Sequence, residues 1–167
     1  MNSNDPFELF KYVTKLTIND CEDAMEIINL IDFSNNYSEI IKVLLKYNIN
    51  IQNYLRLAVL HDNFELCETL IENGIDINYN NGEALKEASS RNNLKMVKLL
   101  VESGVDIHVD DEYVLRFASV YGHYEIVKYL LELGVDVNAQ NGDALKAAHS
   151  NKKFDVVKLL LEHGAKM

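Results

Sequence analysis

The chain has 167 residues, 48% of them apolar, which is enough to bury one sizeable core and implies a single folded unit. Its formal net charge of −10 opposes a phosphate backbone, whose binding depends on Lys and Arg displacing counterions, so nucleic acid and anionic membrane are excluded as natural partners. Cys21 and Cys67 lack the spacing of a disulfide framework or zinc site, and no apolar run nears the roughly 20 residues of a membrane span, so a cytoplasmic chain with reduced thiols is expected.

At the N-terminus Asp5 and Pro6 open a helix with Phe7, Phe10 and Val13 on one face, and residues 1–19 are expected to be a capping helix. Asp20 can cap a second helix carrying Ala24, Ile27, Ile28 and Ile31. Ile40-Ile41, Leu44-Leu45, Asn48 and Ile51 then fit a third helix and its end. Residues 20–51 therefore read as a degenerate first repeat, with a shortened connection to the next unit.

Four units come after it, 52–81, 82–111, 112–141 and 142–167, with a period of thirty. Leu55, Leu85, Leu115 and Leu145 recur in register, each followed three residues later by Ala58, Ala88, Ala118 or Ala148. Leu and Ala at that spacing share one face of a first helix, and the small Ala lets a neighbouring helix approach. A second helix carries Leu66-Cys67, Met96-Val97, Ile126-Val127 or Val156-Val157, then Leu70-Ile71, Leu100-Val101, Leu130-Leu131 or Leu160-Leu161. So broad a stripe must be buried between neighbours. Gly74, Gly104, Gly134 and Gly164 end these helices in a left-handed conformation that costs other residues more.

Beyond each glycine a short β-prone segment, such as Ile75-Asp76-Ile77, leads into a turn expected to project as a β-hairpin-like finger. Asn81-Gly82 and Asn141-Gly142 are tight-turn signals. The middle unit has Asp111-Glu112 there, and its finger is expected to differ. Asn53 and Asp143 are placed to cap first helices.

Helix, turn, helix, Gly-x-Asp-[Val/Ile] and finger together resemble the ankyrin repeat, over roughly Ile27 to Met167, with Ala118 to Ala139 as the best-matched stretch. The fold class this implies is an all-α solenoid of stacked helix-turn-helix units. Two departures stand out: the period is thirty where about 33 is common, and the Thr-Pro-Leu-His opening is replaced by Glu83-Ala84-Leu85-Lys86 and its counterparts. Shortened repeats in a chain rich in Asn, Ile, Lys and Tyr resemble the ankyrin proteins of giant DNA viruses, whose setting would be the host cytoplasm. A tetratricopeptide solenoid is a poorer fit, having a longer period and no glycine punctuation.

The five histidines form no His-x-x-x-His or Cys-His cluster, and neither a phosphate-binding glycine loop nor a nucleophile turn is present. No catalytic, cofactor or metal residue is assigned, and the expectation is a non-enzymatic module, monomeric, with a protein partner. His123, at the Gly-His position of the family, is implied to be structural. The resemblance places partner contacts on the concave side. At the ends of first helices these are Leu60, His61, Ser90, Arg91, Val120, Tyr121, Ser150 and Asn151. On or beside the fingers they are Tyr79, Asn80, Val109, Asp110, Tyr113, Ala139 and Gln140. Aromatic and Arg side chains dominate binding hot spots, so Tyr79, Arg91, Tyr113 and Tyr121 lead. A self-assembling protein packing through its last repeat is the alternative. Asn78 and Asn138 also resemble the finger asparagines that a hydroxylase modifies in this family.

Overall fold

The computed structural model describes residue 41 and residues 51–166. The expected capping helix, most of the degenerate first repeat, Cys21 and Asn48 lie outside the described residues. Among residues 51–166 eight helices run in order: α1 Tyr54–Leu60, α2 Phe64–Glu72, α3 Tyr79–Ser90, α4 Leu94–Glu102, α5 Val109–Tyr121, α6 Tyr124–Glu132, α7 Ala139–Ser150 and α8 Phe154–Glu162. Each odd helix pairs with the next even one, and the pairs stack in sequence as an all-α solenoid.

The repeated columns form the core. Leu85, Leu115, Ala88, Ala118 and Ala148 are fully or almost fully buried, as are Leu70, Leu100, Leu130 and Leu160 of the second helices. Each such leucine contributes about 1.5–3 kcal/mol by leaving water. The first helices pack on one another more extensively than the second helices do, because the alanine column lets their backbones approach. The first helices α1, α3, α5 and α7 therefore form one side of the stack, the side that the ankyrin resemblance makes the inner one.

Second helices end as the sequence indicates. Gly74, Gly104, Gly134 and Gly164 all have positive φ, and the amide after each returns to the helix, as in Ile75 N–H to the Leu70 carbonyl at 3.2 Å. The caps expected on first helices are absent, and two second helices carry them instead. Asn63 and Asn93 cap α2 and α4, accepting from the Leu66 and Met96 amides at 3.0 Å. Asn53 makes no side-chain cap bond, and Asp143 instead accepts from Arg116 at 3.0 Å.

The fingers are left-handed turns rather than paired strands. Residues 80–82, 110–112 and 140–142 all have positive φ and lead directly into the body of α3, α5 and α7. No strand occurs among the described residues. The middle finger, expected to differ, has the same backbone: Glu112 stands at φ 63° where Gly82 and Gly142 stand at 68° and 74°.

Hydrogen bonds explain how a glutamate holds that place. In each finger Asp76, Asp106 or Asp136 accepts the backbone N–H two residues on at 2.9 Å. The aspartate's own N–H needs an acceptor in the preceding finger. The Asn78 side chain supplies it to Asp106 at 2.8 Å, and Asn138 does the same for Lys166 at 2.8 Å. His108 occupies the corresponding position in the middle finger, and there Glu112 Oε1 accepts from Asp136 N–H at 3.1 Å and from His108 Nδ1 at 2.7 Å. Gln52, in register with Glu112, accepts from Asp76 N–H in the same way at 3.2 Å.

Candidate functional site

The inner side is built from first-helix positions that recur every thirty residues. Arg56, Lys86, Arg116 and Lys146 form one column. Each of the first three reaches the next first helix: Arg56 to Glu83 and Glu87 of α3, both at 3.2 Å, Lys86 to Asp110 of α5 at 2.5 Å, and Arg116 to Asp143 of α7 at 3.0 Å. Arg91 closes on Glu87 at 2.7 Å. The Lys86 ammonium bonded to Asp110 holds its carboxyl below the usual carboxylate range, aided by Asn81 and Arg116. Being partly exposed, such pairs add little stability each, but they link neighbouring first helices.

Across that network lies an aromatic ladder on α5. Tyr113 stacks on Phe117 with ring centroids 5.5 Å apart, Phe117 meets Tyr121 at 4.7 Å, and Tyr121 stacks on His123 at 5.7 Å. The i, i+4 spacing puts all three helical rings on one face. Lys86 and Arg116 lie 5.2 and 5.7 Å from the Tyr113 centroid, so the lower end of the ladder is clamped by cations. The upper end is free, with Tyr121 52% exposed. His123 Nε2 meets the Ser90 carbonyl at 3.2 Å, tying this loop to the end of α3, in keeping with the structural role implied for it.

Most of the sequence-selected residues keep exposed surface. His61, Arg91, Tyr121, Ser150 and Asn151 at helix ends are exposed, and Leu60, Ser90 and Val120 are half-buried. On the fingers Asn80, Asp110 and Gln140 are exposed, with Tyr79, Tyr113 and Ala139 half-buried. Val109 is the exception. It is only 5% exposed and lies over Gly82, where an added Cβ would approach its methyl at 3.1 Å, so it belongs to the contact between fingers. Phe117 was not selected, although its four-residue spacing from Tyr113 and Tyr121 was there to be read.

Asn78 and Asn138 carry the links between fingers described above, and Asn138 Nδ2 also donates to the Gly164 carbonyl at 3.2 Å. Cys67 is buried, which pushes its thiol up to about 12, with Glu68 and Asp62 adding to the effect. That thiol is inert in the fold. Among the described residues no group of three or more His, Cys, Asp or Glu is placed to hold a metal, and no helix is long and apolar enough to cross a membrane. The face offers rings, cations and hydrogen-bonding groups for contact.

A family model for ankyrin repeats in three copies matches residues 27–111 and again residues 85–167. No curated protein gives a match to the chain.

Proposed function

Since the chain belongs to the ankyrin-repeat family, whose repeats generally mediate protein–protein interaction, we propose that it is a non-enzymatic adaptor holding a protein partner against its inner face. The observation that carries this reading is the aromatic ladder of α5, clamped by Lys86 and Arg116 at one end and open at Tyr121 at the other. Rigid rings beside an Arg bury area at small entropic cost, the usual make-up of a hot spot. Arg91 and the finger residues Tyr79, Asn80, Asp110 and Gln140 complete the surface. The thirty-residue period and Asn-, Ile-, Lys- and Tyr-rich composition favour a viral chain acting on a host protein in the cytoplasm, as a monomer and away from nucleic acid and membrane. Tyr121→Ala combined with Arg91→Ala should abolish capture of the partner in a pull-down while the circular dichroism spectrum stays helical. Undiminished capture would remove this face from consideration.

A second reading, self-assembly through the last repeat, is favoured by one observation. Leu161 is 52% exposed whereas Leu131, in register one unit earlier, is 8%, and Phe154 is 66% exposed. Sedimentation over a range of concentrations separates the two, because a monomer throughout rejects assembly. Asn78 and Asn138 are further proposed as hydroxylation sites, from their resemblance to the finger asparagines modified in this family. Mass spectrometry of protein from a eukaryotic host, showing no added oxygen at either, would reject that.

A further inference from the structure

Three Asn-Gly pairs occur in the chain, Asn73-Gly74, Asn81-Gly82 and Asn141-Gly142, and the fold treats them very differently. We propose that Asn141-Gly142 is a site of spontaneous modification, at which the asparagine converts to aspartate or isoaspartate, and that its conversion uncouples the last repeat.

The chemistry needs only water. The backbone nitrogen of the glycine loses its proton and attacks the asparagine Cγ, the Cγ–Nδ2 bond breaks, and ammonia leaves with that proton. Water then opens the resulting five-membered imide at either carbonyl, giving aspartate or isoaspartate, with no change of oxidation state. Glycine favours the attack because it carries no side chain to obstruct the ring.

Ring closure requires the glycine nitrogen to swing to the same side of the Cα–C bond as Cβ. At Asn141 ψ is 40° and at Asn81 47°, which place that nitrogen nearly opposite Cβ. The left-handed turn therefore blocks the reaction, and conversion waits for the finger to unwind. What holds each finger then sets the rate.

Asn73 is held most firmly: its Nδ2 donates to the Thr69 carbonyl at 2.8 Å, and Gly74 N–H is bonded to the Ile71 carbonyl at 2.9 Å at the end of α2. Asn81 is held by its finger neighbour, since its Nδ2 donates to the Asp110 carboxylate, which also binds Lys86. Asn141 is exposed and its side chain has no hydrogen-bond partner among the described residues; its turn is restrained by Gly142 N–H to the Asn138 carbonyl, at 3.0 Å, by Lys146 on its own carbonyl, at 2.5 Å, and by the neighbouring Gln140 to Asp111, at 2.7 Å, none of which holds the amide itself.

The two products differ in effect. Asp111 already occupies the equivalent position with φ 51° and accepts from Gln140 at 2.7 Å, so aspartate at 141 is tolerated. Isoaspartate inserts a methylene into the main chain just before Gly142, whose missing Cβ leaves room for the Lys166 carbonyl. The finger that carries Asn138, and with it the bonds to Gly164 and Lys166, would lose its register.

The test is peptide mapping by mass spectrometry of the full chain, incubated folded and in denaturant at mildly alkaline pH. Folded protein should convert Asn141 at least about tenfold faster than Asn73, with Asn81 between, because local opening free energies range from near zero up to the global stability. In denaturant the three rates should converge, and Asn141→Gln should silence that site. Any order in the folded chain in which Asn141 is not first, or the same spread of rates in denaturant, overturns the proposal.

Discussion

Glu112 shows how one residue can break a local rule and be held by distant partners. A non-glycine residue in the left-handed region costs about 1–2 kcal/mol, and its Oε2 is buried without a partner. Its compensation is the bond to Asp136, in the following finger, and the pair with His108. Turn chemistry was legible at Asn81-Gly82 and Asn141-Gly142 because both residue types tolerate positive φ. It was not legible at Asp111-Glu112, because the stabilising contact lies 24 positions along the chain. Glu112→Ala, which keeps the unfavourable φ and removes the acceptor, should lose about 1 kcal/mol in a denaturant titration. His108→Asn with Glu112→Gly, which restores the arrangement of the neighbouring fingers, should gain about 1 kcal/mol by relieving the strain. A neutral single variant, or a double variant weaker than wild type, would contradict this account. The Glu112 carboxylate also raises the His108 pKa above its ordinary 6.5, chiefly through their hydrogen bond, which outweighs the opposing effect of burial, with the charges of Glu112 and Asp106 adding to the rise. A raised folded pKa gives stability that is complete below the unfolded value and is lost as pH climbs through the folded one. The stability difference between wild type and His108→Gln should therefore be larger in mildly acidic than in mildly alkaline buffer. The side chain is 58% exposed, so solvent screening keeps the effect small.

At the scale of elements, the helices were legible because their apolar columns repeat and are buried as their spacing requires. The fingers misled: Ile75-Asp76-Ile77 has the alternation of a strand, yet no second strand lies alongside among the described residues. Its backbone donors are taken by side chains instead, as Asn78 N–H is by Asp76. The caps moved for a related reason. A left-handed turn runs straight into each of α3, α5 and α7, whereas α2 and α4 come after loops in which Asn63 and Asn93 can fold back. Contact between elements rests on the alanine column. Ala118 has no exposed surface, so Ala118→Gln would overpack the seam and bury an amide, costing about 2–4 kcal/mol. Ala139→Gln on a finger should be nearly neutral. Comparable losses in the two variants, measured by thermal unfolding, would mean the first helices do not pack through this column.

For the whole molecule, each unit depends on its neighbours, through the shared core and through cations that reach from one first helix to acids of the next unit. The family register selected Tyr113, Tyr121 and Arg91 for the proposed face. Register reasoning could not find Phe117, because its column holds Leu57, Glu87 and Ala147 and the aromatic ladder runs along one helix, across the period. It also placed Val109 on the surface, since the valine is covered only when two fingers meet. A nearest-neighbour stack should be most rigid in its middle and open first where contacts are fewest. The last pair carries one local sign of weakness: Lys152 has φ 57° where Gly122 stands one unit earlier. Hydrogen exchange on the intact chain tests this dependence most directly. The account predicts slow exchange through α3 to α6 and faster exchange in α8 and towards both ends of the chain; uniform protection, or fastest exchange in the central helices, would contradict it.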